Sequence, residues 1–412
     1  MVNHKYHHRL LFDKRFFKNF RVDGLFGVYL DTALIYLGMS LIGVFIPLYV
    51  LKLTGSILAV FGFYAFYHFL VLFWIFPVAF LLRKIGVDKT SFLGAVSRSL
   101  FLFFLILARQ NNSFLWPAFF FYGLTVPLCW LPFHFTTINI DGGDKKFGKE
   151  AGMIGFIARL FSSLGPVLGG FIITILDFSW LYALAVMITL FSGLALFFDK
   201  FEKKGMKINV KVVLKKSLNP SLSGVCKGLF GAGLEAAVYG IAWPLFIFLA
   251  IGSYQNLGVI KSAALFISLL VYYWAGRWVD RKGKGILKIG VVINSLNLLL
   301  RPFLRTALPI FLADSTYLTG AILIWTPFEA AFYEKGLGEK IDYIILRELI
   351  LHFSGFAACL LLAVLFWLQA SWWLIFSLAV LGLWLTTFII KGEKDSQKAA
   401  EETIPLTDFK HE

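Results

Sequence analysis

Ten of the ionisable side chains inside the long apolar runs of this 412-residue sequence stand out as candidates. Asp31, Arg98, His134 and Arg159 are in the first half; Lys227, Glu235, Glu329, Arg347, Glu348 and His352 are in the second. A charge at membrane depth costs roughly 2.5–3.5 kcal/mol on insertion scales, so each such residue reads as a candidate for pairing, proton transfer or substrate contact. Glu235 is the first candidate for a carboxylate that changes protonation, and Asp31 the second. Arg159 and Arg347 are the expected partners of the acids, whereas Lys227 and Arg98 are long enough to snorkel toward headgroups. Glu235, Tyr239 and Trp243 recur every four residues, so they share one helical face. An acid, a hydroxyl and an aromatic plate on one stripe suit an organic, cationic ligand. A structural reading competes at each position: His134 as a satisfied hydrogen-bonding residue, Glu329 as half of a bridge, the aromatic rings as packing. Most of the ten lie within about eight residues of the end of their runs on the basic, cytoplasmic side, roughly 10 Å deep, which predicts a belt in that third of the membrane rather than a cluster at the midplane.

These residues need helices to hold them, and composition supplies those helices. Hydrophobic residues make up 59% of the chain and charged residues 15%, with 46 Phe and 12 Trp, and the mean hydropathy is +0.78. A soluble surface needs far more charge, so the chain is an integral membrane protein. Apolar runs fall at 24–51, 57–82, 91–108, 113–139, 151–177 and 179–198, then 222–251, 257–278, 286–304, 309–333, 341–368 and 370–390. Each is long enough to cross about 30 Å of hydrocarbon as a helix, with 301–316 read as partly an external loop. About thirty of the 39 basic residues collect on the side of the N-terminus, the central linker and the tail. The opposite side keeps few, such as Lys52, Arg109, Lys261 and Arg305. The positive-inside rule then places both termini in the cytoplasm and the chain in the cytoplasmic membrane. The net charge of +15 is topology and lipid attraction rather than a nucleic-acid surface. Cys129, Cys226 and Cys359 read as packed hydrophobes, and no cleaved signal is expected.

The chain divides into a basic N-terminus (1–23), a six-helix half (24–198), a basic linker (199–221), a second six-helix half (222–390) and a polar tail (391–412). Trp130-Leu131-Pro132-Phe133-His134 returns 195 residues later as Trp325-Thr326-Pro327-Phe328-Glu329. The loop after the second run, Leu82 to Lys89, aligns with Gly276 to Lys284 after the eighth at an offset of 197. Two motifs at nearly one offset indicate a duplicated six-helix unit, a plan common among secondary transporters.

Twelve runs, a basic central linker and these motifs resemble the Major Facilitator Superfamily. Gly276, Asp280, Arg281, Gly283 and Lys284 match its G-x-x-x-D-R-x-G-[RK] loop signature. In that family the loop makes a charge-assisted contact between halves; the counterpart after the second run has Arg83 where the acid would stand. Gly165, Pro166, Gly169 and Gly170 are similar to the G-P-x-x-G-G element of the family's antiporters, although the fourth run lacks the arginine that drug exporters carry there. The resemblance implies an all-α fold of two pseudo-symmetric six-helix bundles, with the first, fourth, seventh and tenth helices lining a central cavity. Asp31, His134, Glu235 and Glu329 would then face water and substrate, with Trp130 and Trp325 as aromatic walls. Arg159, Arg347 and Glu348 join the glycine-rich elements as expected gating residues.

The expected function is a secondary active transporter that moves a small organic solute by alternating access, coupled to protons in the sense of efflux or antiport. It is expected to be a monomer in contact with membrane lipids, with no cofactor and no nucleic-acid partner. A lipid flippase or a non-transporting sensor on the same scaffold is the alternative. An enzyme is not expected, since H-E-x-x-H, G-x-S-x-G and phosphate-loop patterns are lacking.

Overall fold

The computed structural model describes residues 26–139, 143–195, 208, 210–282, 285–336 and 340–390. Twelve helical segments among them are long and apolar enough to cross a membrane. In order, spans 1 to 6 are Phe26–Thr54, Ile57–Ile85, Val87–Ala108, Asn112–Phe135, Met153–Ile175 and Phe178–Ala195. Spans 7 to 12 are Ser223–Ile251, Tyr254–Tyr272, Ile286–Phe303, Ala307–Phe332, Ile341–Trp367 and Trp372–Ile390. The expected all-α fold of two six-helix bundles is the fold observed.

Packing shows the duplication directly. In the first half, span 1 packs on spans 5 and 6, span 2 on span 4, and span 3 on spans 4 and 6. In the second, span 7 packs on spans 11 and 12, span 8 on span 10, and span 9 on spans 10 and 12. Adding six to every helix of the first set gives the second. Between halves the broad contacts are span 5 on span 8 and span 2 on span 11, which the same shift interchanges.

Local sequence makes the halves bend alike. Span 1 breaks after Gly43 and restarts as Ile46–Thr54 with Pro47 in its first turn; it ends at Gly55, φ 65°. Span 7 loosens into a π-turn at Val238–Ala242 and restarts as Trp243–Ile251 with Pro244 in its first turn; it ends at Gly252, φ 71°. Proline has no N–H for the helical ladder, so each span must rearrange just before it. The left-handed end then calls for glycine. These prolines and glycines are 197 residues apart in each case. The Trp-x-Pro-Phe repeat also keeps its geometry: Trp130–Phe133 and Trp325–Phe328 are edge-on ring pairs at 5.4 and 5.3 Å.

The Gly-Pro element sets the seam between spans 5 and 8. A Cβ at Gly165 or Gly169 would collide with span 1 at Ser40, Leu41 or Phe45, and one at Gly170 would strike the Tyr254 carbonyl of span 8. Facing them, Gly258 leaves room for the Pro166 carbonyl, and the Val167 amide donates to Ser262 Oγ at 2.8 Å. Small residues let the backbones approach until dispersion and hydrogen bonding hold them.

Of the linker, residues 210–217 form a short helix, Val210–Ser217, with Val213 buried; Lys216 lies 3.7 Å from Asp342 at the start of span 11. We call this end of the bundle the linker side and the other the outer side. The basic N-terminus, the tail and Gly283 of the loop signature lie outside the described residues. Gly276, Asp280 and Arg281 fall on the helical extension of span 8, Tyr254–Lys282. Residues 301–316, read from sequence as partly an external loop, are instead mostly helical, with Arg301 and Asp314 fully buried.

At the outer side Asp177 caps span 6. Its carboxylate accepts from the amides of Ser179 at 2.7 Å and Trp180 at 3.2 Å, and pairs with Arg109 beyond span 3. Burial opposes its charge, but the two amides and the guanidinium outweigh that and hold the carboxyl below its ordinary value. A lowered folded value means that the stabilisation is complete above the unfolded value, about 3.9, and is lost as pH falls through the folded one. Asp177→Ala is expected to cost about 0.5–2 kcal/mol at neutral pH. In thermal unfolding of the purified protein, the gap to wild type should close as the pH drops below about 4.

Candidate functional site

The second bundle buries an ionic nest in its outer half. Asp314 of span 10 has no exposed surface, and four cationic or hydrogen-bonding side chains from three other helices converge on it. Lys261 Nζ of span 8 is 3.0 Å from Oδ2 and donates to Oδ1 at 3.3 Å. Tyr239 Oη and Trp243 Nε1 of span 7 donate to Oδ1 at 3.2 and 2.9 Å. Arg301, at the outer end of span 9, sits 3.7 Å from the same oxygen. The relaxed turn before Pro244 lets span 7 present Tyr239 and Trp243 to one carboxylate.

Arg301 is held in an aromatic cage. Its guanidinium carbon lies 3.9 Å from the Trp243 ring centre, 4.4 Å from Tyr317 and 5.4 Å from Tyr239. Its Nε donates to Asn297 at 3.0 Å, whereas its two terminal nitrogens have no hydrogen-bond partner among the described residues. Tyr317 stacks on Tyr239 at 4.6 Å and donates its hydroxyl to Glu235. The stripe Glu235–Tyr239–Trp243 therefore faces this nest, and Trp243 is fully buried in it. Two cations and two acids sit within one connected network, with Glu235 on the linker-side edge.

A second ionic cluster lies toward the linker side, where the halves meet. Arg347 of span 11 contacts Glu329 of span 10 at 3.0 Å and its neighbour Glu348 at 2.6 Å. It also reaches across to His134 of span 4, NH1 to Nε2 at 3.0 Å. A guanidinium only donates, so Nε2 of His134 accepts and the ring proton is on Nδ1. Glu348 is 3.7 Å from His134 and 3.6 Å from His352, whose Nδ1 is 2.9 Å from Nδ1 of His68 on span 2.

The other expected residues divide. Asp31 accepts from Ser192 Oγ and lines a cavity of about 40 Å³ inside the first bundle, with Tyr36, Arg98, Cys129 and Trp130 around it. Trp130 stacks on His134 at 5.7 Å, and Trp325 is partly buried at the matching place. Arg347 pairs with acids as expected, but Arg159 does not: it lies over the Tyr272 ring at 3.7 Å and donates to the Gly155 carbonyl. Arg98 turns inward to Cys129 Sγ at 3.2 Å instead of reaching the headgroups.

The belt expected in the cytoplasmic third is only half of the arrangement, because the Asp314 nest forms a second layer. Asp314 and Glu329 are 15 residues apart on span 10, about 22 Å along the helix axis. Lys261, Arg301, Asp314 and His68 were missed. Lys261 is counted from sequence only among the few basic residues of the side opposite the linker, yet it is 3% exposed inside span 8. The available signal was a lysine, an arginine and an aspartate each within eight residues of the same predicted side. His68 is neutral in a charge count, so a search for charge passes over it.

Two bundles of six membrane-length helices, matched contact for contact and meeting along two seams, define a polytopic membrane protein of duplicated design. The chain has the Major Facilitator Superfamily fold: it superposes on the crystal structure of the superfamily transporter FucP in its outward conformation with a TM-score of 0.61, covering 90% of this chain and 98% of that one at 14% identity. It is also similar to the uncharacterized protein YqgE of Bacillus subtilis (strain 168), 24% identical over 290 residues. That match covers 66% of each chain, just under two thirds of the relative's length. No family model matches.

Removing one partner of a buried ion pair costs about 3–5 kcal/mol, because the other charge is left uncompensated. Asp314→Asn leaves Lys261 and Arg301 facing each other and should lower the melting temperature strongly. Adding Lys261→Met should recover part of the loss. A double variant less stable than Asp314→Asn alone would refute the charge-compensation account.

Proposed function

We propose that this protein is a secondary active transporter that moves a small organic solute across the cytoplasmic membrane by alternating access, with a proton as the coupling ion and exchange or efflux as its direction. The carrying observation is the shape of the contact between halves. The bundles are packed internally by five helix pairs each, yet meet broadly along only two seams. At the linker side the seam between spans 4 and 11 is polar, His134 against Arg347 and Glu348. Ion pairs across a low-dielectric gap are strong when closed and must be replaced by other interactions when open, so they suit a two-state gate. The N-terminus, the linker and the tail share one side that carries the basic excess, so in this reading the linker side is the cytoplasmic one.

Glu235 is the proton-carrying carboxylate in this reading. It stands between the sealed Asp314 nest and the gate, and its bond to Tyr317 survives with the proton on either oxygen partner. The solute occupies the space between Glu235 and the Trp130 and Trp325 walls. Asp31 serves the cavity in the first bundle. Arg347, Glu329 and Glu348 hold the gate; Pro166 and Gly170 form the surface on which the bundles turn, and Gly165 and Gly169 seat span 5 on span 1 behind it.

The test is a thermal-shift screen of small organic ions on the purified protein, followed by uptake of the stabilising compounds into vesicles carrying a pH gradient. Wild type should accumulate the solute. Glu235→Gln should lose gradient-driven accumulation yet keep solute exchange at equal pH. Unchanged accumulation in Glu235→Gln removes that residue from coupling, and no accumulation of any stabilising compound by wild type removes transport.

A further inference from the structure

The two seams between the bundles are built from different chemistry. Along spans 5 and 8 the contact is backbone-close, with Gly258 under the Pro166 carbonyl, Gly170 under Tyr254 and the Val167 amide on Ser262, and Arg159 lies over the Tyr272 ring. Along spans 2 and 11 two imidazoles face each other, His68 Nδ1 to His352 Nδ1 at 2.9 Å. Positions 197 residues from these histidines on the other seam are Gly155 and Leu265. His68 is seated in a notch, because a Cβ at Gly355, one turn from His352, would collide with its ring. The pair lies at mid-depth: His68 is eleven residues from the outer end of span 2 and His352 eleven from the linker-side end of span 11, each about 16 Å along its helix.

The protons on this pair follow from the neighbours. His352 Nε2 faces the Glu348 carboxylate at 3.6 Å, which favours a proton there and leaves Nδ1 bare. His68 must then donate its Nδ1–H, and its own Nε2 is bare. One added proton at His68 Nε2 keeps the N–H···N bond. A second, at His352 Nδ1, sets N–H against N–H at that distance and places two positive rings 5.0 Å apart between centres. The titratable groups around the pair are few. From span 2 there are Tyr67, edge-on to His352, and Tyr64; from span 4, Tyr122 stacked on Tyr67, and His134. Span 11 itself adds Cys359, Glu348 and Arg347, and Glu348 is already engaged by Arg347 at 2.6 Å. On the remaining neighbours Arg98 is turned to Cys129, Glu235 to Tyr317 and Lys216 to Asp342. When both rings are charged, Glu348 is shared by His352 and by Arg347, which also holds Glu329, and His68 meets no carboxylate among the described residues.

We propose that His68 and His352 form a proton-binding site across the bundle interface, whose double protonation parts spans 2 and 11. The linker-side end stays tied by Arg347 to His134, so the outer end opens first, where Phe61 stacks on Phe366 at 5.2 Å. Acid on the outer side thereby favours an outward-open carrier. This consequence rests on the alternating-access reading; the proton site itself does not.

The experiment uses the full chain in lipid vesicles with nitroxide labels on Leu58→Cys and Leu368→Cys, both exposed and at the outer ends of spans 2 and 11. Label-to-label distances are measured between about pH 8 and about pH 5, which brackets the ordinary titration of histidine. Wild type should gain a population several ångströms longer in acid. His68→Gln and His352→Gln should each keep the alkaline distance throughout, and either one suffices if the other fails to fold. An acid-insensitive wild-type distance overturns the proposal, as does an acid shift that persists in the glutamine variants. If the distance responds as expected but no solute is transported, the transport reading falls and the proton site stands; the reverse outcome separates them the other way.

Discussion

A charge without exposed surface in an apolar bundle has to be met by opposite charge or by hydrogen bonds, and this requirement organises the second half of the protein. Asp314 draws Lys261 from span 8, Tyr239 and Trp243 from span 7, and Arg301 from span 9. Four helices are thereby fixed relative to one another at their outer ends. The aromatic cage around Arg301 adds cation–π attraction, stronger where water is excluded. The network lies wholly within one bundle, so it stiffens the second half without tying it to the first.

The fold is symmetric and its chemistry is not. Shifted back by 197 and 195 residues, Lys261 and Asp314 fall on Tyr64 and Phe119, which form an edge-on aromatic pair at 5.5 Å. A ring pair in one half and an ion pair in the other occupy the same joint between a second and a fourth helix. Aromatic packing needs no counter-charge and does not respond to pH or to a charged ligand. The halves therefore share one packing plan, while at this joint only the second holds charge.

The two seams divide labour in the same way. Spans 5 and 8 approach closely enough for a backbone amide to reach a side chain of the other half, which leaves little room for rearrangement. Spans 2 and 11 meet through imidazole rings and through stacked phenylalanines, contacts that separate without exposing unpaired backbone.

Much of the fold was legible in the chain. Run lengths set by bilayer thickness gave twelve spans, and the Trp-x-Pro-Phe repeat announced the duplication, because both depend on spacing along one strand of sequence. Pro47 and Pro244, with Gly55 and Gly252, carried the same information unread. Of the site, the face shared by Glu235, Tyr239 and Trp243 and the pairing of Arg347 with acids could be foreseen from helical periodicity. Asp314 with Lys261 and His68 on His352 join residues 53 and 284 positions apart, and the cage on Arg301 draws its rings from two other helices. Sequence fixes which residues each helix carries and at what depth, since the helix rise is constant; only the tertiary packing decides which helices meet, and a buried charge acquires its meaning from the partner that packing brings to it.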